Sequence, residues 1–322
     1  MLQKTPLLTL LVVALAFAPC VRSQGYPDKP IRVIVAYAPG ATDAAARAVT
    51  RPMAMLLGQA MVIENKPGAE AAIGSSFVAK SAPDGYTILY TPSSSMLRPH
   101  LSAETLYDPL AMTAIGRAVG TVNILVISAG HPAKTVSELI SYAKAHPGEV
   151  TFGSVGGGSA QLGGEFLSKL AGVEFLHVPY KGTSPAMLDL MAGRLTFIFS
   201  GVGHVLSNVK NGKLRVLSVT GEERHFQLPD IPTMTEAGIR NFDLPPIWHA
   251  FVGPLKLQPA VVSRLNQALR TSLADPDAIK AINALGYEPI YSTPEQLQAQ
   301  MRSDYDNWAK IVKAAGISKN QQ

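Results

Sequence analysis

The 322-residue chain lacks most of the residues from which catalytic and metal sites are built. Its one cysteine is Cys20. That residue falls in an N-terminal segment expected to be removed, so the mature chain has no thiol chemistry, disulfide or Cys-ligated metal. Only 16% of residues are charged. The formal net charge of +5 is scattered, with no Lys/Arg block, which argues against nucleic acid as a partner. No apolar run reaches the roughly 18 residues of a membrane-spanning helix. There is no G-x-S-x-G elbow, no H-E-x-x-H and no P-loop. The seven histidines, His100, His131, His146, His177, His204, His225 and His249, lack ligand spacing. Each is expected on the surface or in a loop, and no metal or cofactor is expected. Gly153, Gly156 and Gly158 match a dinucleotide loop only loosely.

What is present begins with an address. Lys4 supplies a positive start, and Leu7 to Ala18 is apolar apart from Thr9. Val21 and Ser23 are placed for cleavage before Gln24, so residues 1–23 read as a secretory signal peptide. Export argues against NAD or ATP chemistry, because those cofactors are cytosolic. A hydrophobic content of 47% excludes a disordered chain, and the length suits two domains.

Beyond Gln24, apolar β-branched runs alternate with helical patterns. Strands are expected at Ile31–Tyr37, Met61–Glu64, Tyr86–Thr91, Asn123–Ser128, Val150–Gly153, Glu174–Val178, Leu195–Ser200, Leu214–Thr220 and Trp248–Gly253. Helices are expected at Asp43–Leu57, Glu70–Ala82, Val136–Ala145, Ala160–Leu170, Pro185–Met191, Ala260–Ala274, Pro276–Leu285 and Pro294–Ala315. Thr135 with Glu138 reads as a capping box. Ser184, Asp275 and Thr293 each precede a proline, as caps do. Gly172 and Gly316 read as helix stops. The alternation implies α/β architecture with largely parallel sheets. The nearly all-helical tail from Leu255 is expected to return and cover the first domain, which requires two crossings.

Three segments place a small-residue loop between a strand and a helix start: Tyr37–Asp43, Thr91–Ser95 and Gly153–Ser159. A helix start carries free N–H groups and partial positive charge, so it attracts a carboxylate or phosphate. Ligands gather at the carboxyl ends of strands in open α/β sheets. The run Gly156-Gly157-Gly158 costs conformational entropy and implies that some other group approaches the backbone closely. Asp43 reads either as a helix cap or, if it faces a pocket, as the partner of an ammonium group.

Several segments resemble the substrate-binding proteins of tripartite tricarboxylate transporters, the Bug receptors. They are Tyr26-Pro-Asp-Lys-Pro-Ile-Arg-Val-Ile-Val35, Val62-Ile-Glu-Asn-Lys-Pro-Gly68, Pro83-Asp-Gly-Tyr86, Val178-Pro-Tyr-Lys-Gly182, Gly212-Lys-Leu-Arg215, Leu228-Pro-Asp-Ile-Pro-Thr233 and Glu236-Ala-Gly238. The resemblance covers the mature chain in order. It implies a type II periplasmic binding protein, with two α/β lobes joined by crossing hinge strands. Lobe 1 would comprise residues 24–122 and 226–322, and lobe 2 residues 123–225. It implies a monomer that binds a small carboxylate (a dicarboxylate, tricarboxylate or acidic amino acid), needs no cofactor and docks on membrane permease subunits.

Carried over by position, the ligand residues are Tyr37, Gly40, Ala41, Thr42 and Asp43, then Ser93, Ser94 and Ser95. The second lobe offers Gly156, Gly157, Gly158, Ser159, Gln161, Tyr180, Lys181 and Ser200. Three positions depart from the family pattern. The first loop is one residue shorter, Ala72 stands where a polar contact is usual, and Ser200-Gly201 stands where an acid is frequent. Two other roles fit the same sequence. One is a sensory receptor signalling to a membrane histidine kinase. The other is an exported hydrolase with Ser95 or Ser159 as nucleophile.

Overall fold

The computed structural model describes residues 25–69, 71–102, 106–155, 158–180 and 183–316. Its strands are β1 (Ile31–Val35), β2 (Met61–Asn65), β3 (Thr87–Pro92), β4 (Thr113–Thr121), β5 (Asn123–Ser128), β6 (Thr151–Val155), β7 (Leu176–Tyr180), β8 (Phe197–Gly201), β9 (Leu214–Val219), β10 (Ile247–Gly253) and β11 (Glu288–Pro289). They form a six-stranded sheet, ordered β11-β4-β10-β3-β1-β2, and a five-stranded sheet, ordered β7-β6-β8-β5-β9.

Both sheets are mixed, which corrects the expectation of largely parallel ones. β1 pairs in parallel with β2 and β3, and β6 with β7 and β8. β10 runs antiparallel to β3 and β4, and β5 antiparallel to β8 and β9. The antiparallel strands are the ones flanking the crossings. Val122 alone separates β4 in the first sheet from β5 in the second. The chain returns just before Ile247, which pairs with Thr121. The two crossings therefore lie side by side.

Strand parity decides which core each side chain enters. Ile31, Val33 and Val35 point to one face of the first sheet, and Ile34 to the other. The first face packs on α1 (Ala41–Leu57), α8 (Pro259–Ser272) and α9 (Pro276–Ala284). The second face joins a core shared with the other sheet, including Trp248, Phe152, Phe197 and Phe199. α10 (Pro294–Ala315) covers it through Trp308 and Met301, and also packs on α5 (Ser159–Ala171) of the second sheet. The far face of the second sheet packs on α6 (Thr183–Met191) and α7 (Val202–Lys210) through Leu190 and Val205. The helical tail thus covers the first sheet as expected.

The remaining helices are α2 (Ala72–Ala79), α3 (Arg98–Leu101) and α4 (Val136–Ala145). Ser93–Met96 forms a short 3₁₀ turn before α3. Asp275 accepts from the Ala278 N–H, and Thr293 with Gln296 makes a reciprocal box. Thr135 accepts from the Glu138 N–H, but Glu138 reaches back to the Lys134 N–H, one residue short of a full box. α6 starts at Thr183, so Ser184 lies inside it rather than capping it. Gly172 and Gly316 are the left-handed C-caps expected.

β4 and α7 were not expected. In β4, glycines interrupt the apolar pattern because helices and loops approach it closely. A Cβ on Gly116 would lie 2.7 Å from Asn266 Nδ2, and one on Gly120 would lie 2.1 Å from Ile290 Cδ1. In α7, Gly203 lets the Leu285 carbonyl come within 1.8 Å of where a Cβ would be. The histidines are corrected as well. His249 lies in the core on β10, and His225 is also buried.

Two buried polar groups generate predictions. The Trp248 Nε1–H donates to Asp304 Oδ2 at 2.6 Å, and Gln300 donates to Asp304 Oδ1 at 2.8 Å. This ties α10 to β10 at the return crossing. Asp304→Ala leaves the indole N–H orphaned and is expected to destabilise by about 2 kcal/mol, measured by urea unfolding. Burial, reinforced by the His204 charge, lowers the His249 pKa from 6.5 to about 3. Between those values the unfolded chain binds a proton that the native protein refuses, so stability falls as pH falls through that window. His249 alone should remove about 2–3 kcal/mol between pH 7 and pH 4.5. Urea unfolding at both pH values should show a shallower loss in His249→Gln.

Candidate functional site

A cavity of about 490 Å³ opens where the carboxyl ends of strands from both sheets meet. The first sheet's side contributes Ala36, Tyr37 and Ala38 after β1, Pro67, Gly68 and Ala71 after β2, Ser94 and Arg98 after β3, and Ile247 at the return crossing. The second sheet's side contributes Asn123, Gly153, Ser154, Gly158, Ser159, Ala160, Ala186, His204 and the end of β8 from Ile198 to Gly201.

Three helices begin at this lining. Their N-caps are Ala71 for α2, Gly158 for α5 and Gly201 for α7, and none makes a side-chain capping bond. First-turn N–H groups have no carbonyl partner within their own helix and carry the positive end of its dipole. At α2 the Ala72 and Ile73 N–H groups donate to the Ala69 and Gly68 carbonyls, whereas at α5 and α7 the glycine N-cap leaves room for an anion to approach. The loop entering α2 holds Ala69 at φ 45° and Ala71 at φ 74°, a left-handed conformation uncommon for alanine.

The charges agree with this. Arg98 is half-buried and contributes a guanidinium. His204 is open to the cavity but hemmed in by protein, and desolvation lowers its pKa from the ordinary imidazole value. No Asp or Glu lines the cavity among the described residues.

The structure gathers some of the residues expected from sequence and leaves others aside. Tyr37 and Ser94 face the cavity together, with Tyr37 Oη and Ser94 Oγ 3.3 Å apart. Gly158, Ser159 and Ser200 also line it. Gly40, Ala41, Thr42 and Asp43 do not. They start α1, where Asp43 is buried and held by Arg47 at 2.9 and 3.1 Å. Asp43 is therefore neither a cap nor a counter-charge in the cavity. Thr42 lies beside Tyr287, away from the cavity.

Ser93 and Ser95 are braces. Ser93 Oγ donates to the Pro246 carbonyl and accepts from the Trp248 N–H, while Ser95 Oγ donates to the Pro92 carbonyl. Tyr180 donates to Asp189, away from the lining, and Gln161 lies in the first turn of α5 outside it. Gly156, Gly157 and Lys181 lie outside the described residues.

Sequence reasoning missed Arg98, Asn123, Ser154 and His204. Arg98 had a local signal, a cation three residues beyond the serine run. His204 had none, because α7 was not recognised. Ser154 Oγ lies 2.7 Å from His177 Nε2. Burial alone lowers the His177 pKa, with no carboxylate acting on it. Among the described residues no acid is bonded to this histidine to orient it, and neither Ser95 nor Ser159 makes a bond to a histidine.

Comparison with known proteins agrees with this geometry. Residues 45–317 match the model of the tripartite tricarboxylate transporter family receptor. Protein BugT of Bordetella pertussis is 31% identical, covering 95% of each chain. The solved periplasmic binding protein BugD is 33% identical with TM-score 0.81, covering 92% of this chain and all of that one. Rpa4515 of R. palustris, solved with adipate, is 28% identical with TM-score 0.84, covering 91% of this chain and 99% of that one. MatC of Rhodopseudomonas palustris, solved with malate, is 26% identical with TM-score 0.79, covering 89% of this chain and 100% of that one. BugD is a periplasmic binding protein, and this chain shares its fold. A cavity between two mixed α/β sheets and a family match over most of the sequence lead to one conclusion: the chain belongs to the tripartite tricarboxylate transporter receptor family.

Proposed function

We propose that this protein is a periplasmic solute receptor that closes two lobes over a small carboxylate and delivers it to membrane permease subunits. The observation that carries this reading is the cavity's charge balance. Arg98 and three helix starts line it, with no carboxylate among the described lining residues. Such a lining favours an anion and disfavours a cation. The adipate and malate held by the two R. palustris relatives fit the same chemistry.

Residues 1–23 act as the export signal, and the mature receptor works as a monomer. Lobe 1 is built on the first sheet and lobe 2 on the second, joined at Val122 and just before Ile247. Met234, Phe242 and Leu244 share a core with Phe199, which favours placing the return crossing near residue 245 rather than 226. Open and closed forms are in equilibrium, and a ligand touching both lobes favours the closed one. A micromolar dissociation constant corresponds to about −8 kcal/mol, within reach of several charge-assisted bonds of roughly 1.5–3 kcal/mol each. Tyr37, Ser94, Arg98, Asn123, Ser159, Ser200 and His204 supply the side-chain donors.

Thermal denaturation tests the reading. Succinate or adipate at millimolar concentration should raise Tm, and spermidine should not. Arg98→Gln should weaken carboxylate affinity roughly tenfold to a hundredfold in calorimetry, since it removes one charge-assisted contact of about 1.5–3 kcal/mol. Unchanged affinity in Arg98→Gln would remove that residue from the site.

A further inference from the structure

The start of α7 has the cavity on one side and the first sheet's structure on the other. Gly201 and His204 line the cavity, while Gly203 between them does not. Gly203 faces instead the turn that ends α9, at Leu285 and Gly286. We infer that this turn is the bearing on which α7 rests, and that Gly203 and Gly286 are positioning residues that set where the α7 start stands in the cavity. The effect on affinity rests on the receptor reading, and the contact itself does not.

The contact is backbone on backbone. A Cβ on Gly203 would overlap the Leu285 carbonyl oxygen and lie 2.8 Å from its carbon. A Cβ on Gly286 would lie 2.6 Å from the Gly203 Cα and 3.2 Å from the Val202 carbonyl carbon. No side chain stands between the two segments that a rotamer change could move aside. Gly286 also holds φ at 76°, which is open to glycine and costly for a residue with a Cβ.

Both partners are anchored, and to different cores. Ile282 and Tyr287, on either side of the turn, are buried in the cluster that packs the first sheet on α1 and α8. Glu288 and Pro289 follow at once as β11, paired with β4. Thr121, at the end of β4, donates from Oγ1 to the Gly286 carbonyl at 2.9 Å. On the other side, Val202 and Val205 are buried in the cluster on the far face of the second sheet. The two clusters share no residue, and the turn and α7 meet between them beside the crossings. A second tie runs alongside. Gln227 Nε2 donates to the Asn283 carbonyl at 2.9 Å, joining the segment after β9 to the end of α9.

Rotation of one sheet against the other therefore carries α7 over this turn. Close-packed backbone has little compliance, so movement at the turn passes to Gly201 and His204. A binding constellation holds its geometry to within about 0.5 Å, so such a displacement is felt by the ligand.

Paired spin labels test this. A chain starting at Gln24 has no cysteine of its own. Labels can then be attached at Met55→Cys on α1 and Leu188→Cys on α6, both exposed and on opposite sides of the crossings. Gly203→Ala is expected to shift the mean interlabel distance of the ligand-free protein by about 2 Å or more, because displacement beside a hinge grows toward the far ends. It should also weaken succinate or adipate binding roughly tenfold or more in calorimetry. Gln227→Ala, which adds no atoms, should broaden the distance distribution and weaken affinity by a smaller factor, and it decides the matter if Gly203→Ala does not fold. Distances unchanged in the folded variants overturn the bearing, and unchanged affinity overturns the positioning role, whatever happens to Tm. If the unsubstituted chain binds neither succinate nor adipate, the receptor reading fails, and the interlabel distances still decide whether the turn is a bearing.

Discussion

The pairing of β4 with β10 at the crossings is the constraint on which the rest of the structure depends. Thr121 and Ile247 are partners in one sheet, and one residue beyond Thr121 the chain already belongs to the other sheet. Two strands leaving one sheet at the same point tie the two sheets together. The pairing also fixes where the carboxyl ends of β1, β3, β6 and β8 point, and so where a cavity can form. Trp248 secures the same corner. Its indole is bound to Asp304 on α10, and its amide to Ser93 after β3.

The cavity illustrates how a site can be made electropositive with few charged residues. One guanidinium is supplemented by the helix starts of α5 and α7 and by the dipole of α2. Backbone donors have no rotamer freedom to lose and do not titrate, so they hold their geometry with or without a ligand. Their N-caps are alanine or glycine where capping side chains are usual. Elsewhere in the molecule Thr135, Asp275 and Thr293 cap their helices in the ordinary way.

The departures from the sequence reading share a cause. β4 was missed because Gly116 and Gly120 erase its apolar alternation, yet both are small to admit Asn266 and Ile290 from elements more than a hundred residues away. α7 was missed because Gly203 interrupts it, and Gly203 is small because the chain at Leu285 crosses over it. Asp43 looked functional because a short polar side chain at a helix start has several possible roles. Its ion pair with Arg47, one turn on, decided among them. His249 looked like a surface residue because nothing in its own segment shows that Tyr90 and Tyr287 will pack around it.

Local sequence alone determined the α/β alternation, the helix caps and stops, and the small-residue loops at strand ends, because each depends on residues within a turn or two of one another. It also picked out Tyr37, Ser94 and Ser159, which line the cavity. Tertiary structure decided which helix starts meet. The starts of α2 and α7 replace that of α1 in the lining, and Arg98 and His204 enter it from opposite sides. Those choices are set by how two sheets are hung from one pair of crossings. That geometry depends on contacts between distant segments, which no local pattern encodes.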